Sequence, residues 1–218
     1  ARGFREIQHD ADVMRVTDAF NPFETDASDI VQKAQQIKGK QVVDPSAYGG
    51  DHGMSLTETA LADLDKAAQA RREGLSTRQQ QMFDVAYARK KVEVQRLVHS
   101  HETQQVGAMF GQIYQDRDAV LVDNLSKLGV KDGLPDGEVI RTTLADRVDN
   151  ARRWASSQGM DPDLAEQAAK AGTYGTVING LMAAKNPMAA QAFFSDHKMD
   201  LDEKTRLAMG EKISQQVQ

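Results

Sequence analysis

The chain reads as an all-α protein: an elongated helical bundle around one long central helix, followed by short C-terminal helical hairpins. Three observations predict this. The stretch from Ser76 to Leu128 keeps helical character throughout, and no proline lies between Pro45 and Pro135. Alanine, glutamine, aspartate and methionine are abundant while aromatic and β-branched residues are sparse, which is a helical composition. No segment alternates at period two for long enough to demand a sheet.

The first element is an amphipathic segment with apolar residues at helical spacing, Phe4, Ile7, Ala11, Met14 and Phe20, expected to end at Pro22 in Asn21-Pro22-Phe23. Asp26 then caps a second helix carrying Ile30, Ala34 and Ile37, which stops at Gly39. Residues 39–53 have turn residues and no helical period, so they form a long loop ordered by Val42, Val43 and Tyr48. Ser55 and Glu58 make a capping box that opens a helix with Leu56, Ala60, Leu61, Leu64 and Ala68 on one face, ending at Gly74. Ser76 and Gln79 form a second capping box at the start of the long helix, residues 76–128, and Gly129, Gly133 and Pro135 supply its stop. These three helices are expected to pack against the long one.

After Pro135 the text changes to shorter helices of roughly 10–15 residues joined by tight turns. Asp136 caps a helix with Val139, Ile140, Leu144, Val148, Ala151 and Trp154. Asp161-Pro162 and Asn186-Pro187 each pair an N-cap with a proline at the first helical position, and Asp200 with Glu203 resembles a further capping box. The division into domains is accordingly placed at 1–130 and 131–218.

Composition narrows function. The net charge is −5, which does not favour a phosphate-tracking surface. The chain has no cysteine, so disulfides, thiolate chemistry and cysteine-containing zinc sites are excluded. No apolar run approaches the roughly 20 residues of a membrane span. The opening Ala1-Arg2-Gly3-Phe4 has no methionine and no signal-peptide pattern, which predicts a processed protein or a fragment.

Three constellations on the chain could carry chemistry. His99, His101 and Glu102 interrupt the apolar stripe of the long helix and contain metal-ligating types, but residues two apart on a helix point about 200° away from each other. A polar-paired layer is the favoured reading. The basic run Arg89-Lys90-Lys91 with Arg96 is offset by Asp84 and Glu93, which favours a solvated face. Gly107 and Gly111 form a G-x-x-x-G that can mark close helix packing. None of the ten glutamates precedes a serine, the context in which a lytic transglycosylase presents its catalytic acid. Neither Gly39-Lys40 nor Gly49-Gly50 fits a phosphate loop. No catalytic residue, metal ligand or cofactor is therefore assigned. The interaction candidates are Met109, Phe110 and Ile113 on the long helix, through which self-association or docking to another protein is expected.

The order of parts resembles the internal or ejection-type structural proteins of tailed-phage virions. The resemblance rests on G-K-x-V-x-D from Gly39 to Asp44, on Leu75, Ser76, Gln80 displaced by one, and Phe83, and on His101 with Gln105 after a basic stretch. It extends through Val177-Ile178, Leu181, Asn186-Pro187, Ala189-Ala190, Phe193-Phe194, Lys198 and Leu201. It implies a non-enzymatic structural part, often adjoining a lytic transglycosylase domain. Such a part is assembled in the host cytoplasm and stored in the particle interior or near the portal and tail. It leaves with the genome to help form a conduit across the cell envelope, with other virion proteins as partners. Two alternatives remain open: a non-catalytic or substrate-binding region of a peptidoglycan-degrading phage protein, and a cellular helical adaptor.

Overall fold

The computed structural model describes residues 2–217, and the fold is all-α apart from one two-stranded turn. The helices are α1 (Arg2–Gln36), α2 (Leu56–Arg72), α3 (Thr77–Leu128), α4 (Gly137–Ser157), α5 (Pro162–Ala183), α6 (Pro187–His197) and α7 (Glu203–Val217). The long central helix runs 52 residues, roughly 78 Å at 1.5 Å per residue. Its expected capping box is present: Gln79 Oε1 accepts from the Ser76 amide at 3.0 Å, and the Gln79 amide faces Ser76 Oγ at 3.4 Å.

By internal contacts the chain divides into two units between Met109 and Phe110, inside α3, rather than at the 130/131 boundary read from the sequence. Glycine and proline marked the end of a helix there. They did not mark the end of a unit, because the last turns of α3 share a core with the helices that follow.

In the first unit α1 is continuous from Arg2 to Gln36, with Pro22 in its interior. The expected break at Pro22 does not occur. The proline removes the hydrogen bond to the carbonyl of Asp18, an exposed residue, and water can satisfy that oxygen. Meanwhile Phe20 and Phe23, on either side of Pro22, both pack on Phe83, at centroid distances of 5.6 Å. This anchorage holds the chain helical through the proline. Asp26 consequently lies mid-helix, not at a cap, and its carboxylate accepts from Arg71 Nε at 3.0 Å. The buried seam of α1 runs Val16, Phe23, Ala27 and Ala34, with Phe20 and Ile30 partly buried between them and Ile37 just past its end. The expected core positions Phe4, Ile7 and Met14 are exposed instead, at 75%, 70% and 68%.

Small residues let α1 and α2 approach closely, with Ala27 and Ala34 facing the region of Ala60 and Ala68. Phe83, Tyr87, Val94 and Val98 of α3 complete that core. Between α1 and α2 lie two 3-10 turns, Gly39–Val43 and Pro45–Tyr48. Val42 is buried and the Tyr48 hydroxyl donates to the Met54 carbonyl at 3.0 Å, whereas Val43 is exposed and orders nothing. The Ser55–Glu58 capping box is formed as expected.

In the second unit α3 ends at a tight hairpin, Val130–Lys131 paired with Leu134–Pro135. Asp132 and Gly133 both take positive φ, 51° and 74°, which suits an Asp-Gly hairpin turn. Helix α5 is the inner helix of this unit, burying Tyr174, Val177, Ile178, Leu181 and Met182 against Ile140, Ala190, Phe193, Ile213 and Leu125. Asp136, Asp161 and Asn186 cap α4, α5 and α6 as expected. Helices α4 and α5 are longer than the 10–15 residues expected, at 21 and 22. Asp202 rather than Asp200 caps α7: its carboxylate accepts from the Thr205 amide at 2.9 Å and from the Thr205 hydroxyl at 2.6 Å. Those bonds hold the Asp202 pKa below its ordinary value.

Because proline inside a helix costs about 3 kcal/mol relative to alanine, Pro22→Ala should stabilise the chain by about 1–3 kcal/mol. Urea unfolding measures this. A loss of stability would mean that Pro22 sets a bend that the Phe20–Phe23–Phe83 packing requires.

Candidate functional site

The polar interruption of α3 is a clamp on the connection between α1 and α2. His101 Nε2 lies 2.8 Å from the carbonyl oxygen of Ile37; a carbonyl can only accept, so this nitrogen carries the proton and donates. Gln105 Oε1 accepts from the Gly39 amide at 3.0 Å. Glu102 accepts from the Thr57 amide at 3.2 Å and from the Thr57 hydroxyl. The Thr57 amide is in the first turn of α2, where N–H groups lack intrahelical partners and a carboxylate is favourable. One turn and a half of α3 thus satisfies the end of α1 and the start of α2. His101, Glu102 and Gln105 are brought to the same belt but serve three different backbone sites. Among the described residues, no group of three or more His, Asp or Glu side chains is placed to hold a metal ion.

Of the four basic side chains Arg89, Lys90, Lys91 and Arg96, the two lysines are spent on carboxylates. Lys90 pairs with Glu93 at 3.2 Å and lies 3.9 Å from Glu24, while Lys91 meets Asp65 at 2.8 Å. Tyr87 also donates to Asp65, and Lys91 sits over its ring at 5.7 Å.

A cavity of about 640 Å³ opens between α1, α2 and the Pro45–Tyr48 turn. Ile30, Ala34, Ile37, Leu56 and Ala60 line it, with Asp29 and Asp63 among its polar residues. The Thr59 hydroxyl belongs to this lining and is buried without a hydrogen-bond partner. Tyr48, at the same cavity, has its pKa raised first by burial and then by the charge of Glu102. Apolar and polar side chains share the walls about equally, Asp26, Lys33 and Gln36 among the latter.

In the second unit the charged centre is Arg147. It donates through Nε and Nη2 to the two oxygens of Asp118 at 2.7 and 3.0 Å, and through Nη1 to Thr173 at 3.0 Å. The Arg147 side chain is 9% exposed and that of Asp118 23%. Thr173, fully buried, passes its own proton to the Ala169 carbonyl at 2.8 Å. Beside this group Tyr114 stacks on Trp154 with centroids 4.9 Å apart, and Gly111 lies next to the indole nitrogen. Burial first, then the Asp118 charge, raises the Tyr114 pKa. The Trp154 Nε1 in this group is buried without a hydrogen-bond partner. Near the start of α5, Glu166 has its pKa lowered by hydrogen bonds from Lys170 and then Arg152, a surface network.

The sequence-level interaction candidates lie on α3 as a half-buried Met109 and an exposed Phe110 and Ile113, the last two each 48% exposed. Val120, 60% exposed, continues their side of the helix. Tyr114, Asp118 and Leu125 occupy the other, packed side. No helix among the described residues is long and apolar enough to cross a membrane. No protein-family model, curated protein or solved structure matches the chain.

Removing Arg147 would leave Asp118 and Thr173 without their shared donor. Arg147→Met should therefore cost about 3 kcal/mol, and adding Asp118→Asn should recover part of the loss. A urea-unfolding double-mutant cycle measures this coupling. Additive effects would show that the pair is electrostatically idle.

Proposed function

We propose that the chain is a non-enzymatic structural component of a tailed-phage virion, an internal or ejection protein that assists delivery of the genome into the host. Its site would be the particle interior or the portal and tail region, after assembly in the host cytoplasm, with other virion proteins or further copies as partners. The order of parts set out from the sequence supports this reading. The observation that carries it is the α3 face of Phe110, Ile113 and Val120, which offers apolar side chains to solvent on a helix of 52 residues. Exposed apolar faces of that kind suit assembly contacts. The carboxylates have structural work: Glu58 completes a capping box, Glu102 binds the start of α2 and Glu166 is ion-paired. That distribution supports a non-catalytic role.

Particles purified from a culture expressing the gene provide the test. The chain should co-purify with filled particles, resist external protease there, and leave them together with the DNA on ejection. Absence from particles would reject the reading, and clearing of purified cell wall in a zymogram would favour a peptidoglycan-degrading part instead. A contact through α3 should also be visible in isolation. Sedimentation equilibrium with and without a purified particle component should show association weakened by Phe110→Asp, whose side chain is exposed and whose fold should persist. Unchanged association in that variant would remove α3 from the interface.

A further inference from the structure

Helix α1 has two apolar faces, and only one of them is covered. Asp12, Val16, Phe23 and Ala27 point into the first unit. Phe4, Ile7, Ala11 and Met14 are all exposed, on a stripe centred about 150° away around the helix at 3.6 residues per turn. The spacing of that stripe alternates three, four and three residues, the a/d pattern of a coiled-coil seam. A face needed only to cover the core would not repeat in this way on the opposite side.

We propose that this stripe is a self-association seam on which a second copy of the chain docks its own α1 in parallel. The flanking charges select both the occupant and the direction. With Phe4 and Ala11 at a, and Ile7 and Met14 at d, Asp10 falls at g and Arg15 at e. In a parallel pair the g residue of one helix faces the e residue five positions further along the other. Asp10 therefore meets Arg15 of the second copy, and by symmetry the pair forms twice. In an antiparallel pair that keeps this seam in register g meets g, so aspartate would face aspartate. Both residues are exposed, and among the described residues neither is engaged in an ion pair within its own chain. Their near neighbours on α1 are committed inward: Asp12 accepts from Gln79 at 2.8 Å and lies 3.6 Å from Arg78, and His9 Nδ1 faces Arg78 at 3.4 Å. Two heptads per copy make this a reversible contact, independent of the α3 face.

Charge reversal tests it with the full chain. Sedimentation equilibrium of the unaltered protein should show a concentration-dependent dimer. Asp10→Arg and Arg15→Asp, each alone, should weaken that dimer by roughly tenfold, because like charges then meet twice. An equimolar mixture of the two variants should restore it, since every facing pair becomes opposite in sign. The chain has no cysteine, so an Ala11→Cys variant carries a single thiol on the seam, and oxidation should cross-link it to a covalent dimer. All these side chains are exposed, and circular dichroism of each variant checks that helicity is kept. A monomer at every concentration, association indifferent to both charge reversals, or failure of the Ala11→Cys variant to cross-link would each overturn the proposal.

Discussion

A helix of 52 residues stays whole only where neighbours cover enough of it, because isolated helices are marginal in water. In α3 the cover changes character along its length. Phe83, Val94 and Val98 are buried among side chains of α1 and α2, and Leu125 among those of α4 to α7. Between these buried side chains polar contacts join Val106 and the Tyr114–Trp154 stack in holding the helix. His101, Glu102 and Gln105 bond the backbone around Ile37, Gly39 and Thr57, and Asp118 bonds Arg147. Within the first unit α3 thus fixes where α1 ends and where α2 begins, and within the second it bonds α4.

These polar contacts differ in what they cost to break. Glu102 accepts from one backbone N–H and one hydroxyl, both of the buried Thr57, so its loss leaves neutral donors unpaired at a helix start. Arg147 and Asp118 are charged, and a lone charge left by removing one of them costs more than an unpaired neutral donor. Thr173 strengthens the point, because its single hydroxyl both accepts from Arg147 and donates to Ala169. The second unit therefore tolerates replacing the whole group better than removing one member of it. Exposed pairs such as Arg153–Asp149 and Lys127–Asp123 add little by comparison.

Local grammar was legible in the sequence. The Ser55–Glu58 and Ser76–Gln79 boxes and the caps Asp136, Asp161 and Asn186 act over three residues, and each stands where the text puts it. The Asp132-Gly133 hairpin rests on an equally local signal, but its two-residue strands carry no period. Periodicity failed on α1 for a different reason. Phe4, Ile7, Ala11 and Met14 form a stripe as regular as the buried one, and spacing alone does not say which face finds a partner. Pro22 misled because the cost of a proline is local, whereas the aromatic packing that offsets it comes from Phe83, far along the chain. The polar belt showed only as an interruption. Its partners at residues 37, 39 and 57 carry no mark in the text, and neither does the pairing of Asp118 with Arg147.

The functional reading inherits the same dependence, since the Phe110–Ile113–Val120 face exists as one surface only while α3 is unbroken there. Residue-resolved amide hydrogen exchange across α3 is the most direct measurement. Protection should run without a gap from Phe83 through the His99–Gln105 belt and past Gly107 and Gly111 to Leu125. A fast-exchanging window between His99 and Gly111, flanked by protected segments, would contradict the continuity on which everything else here depends.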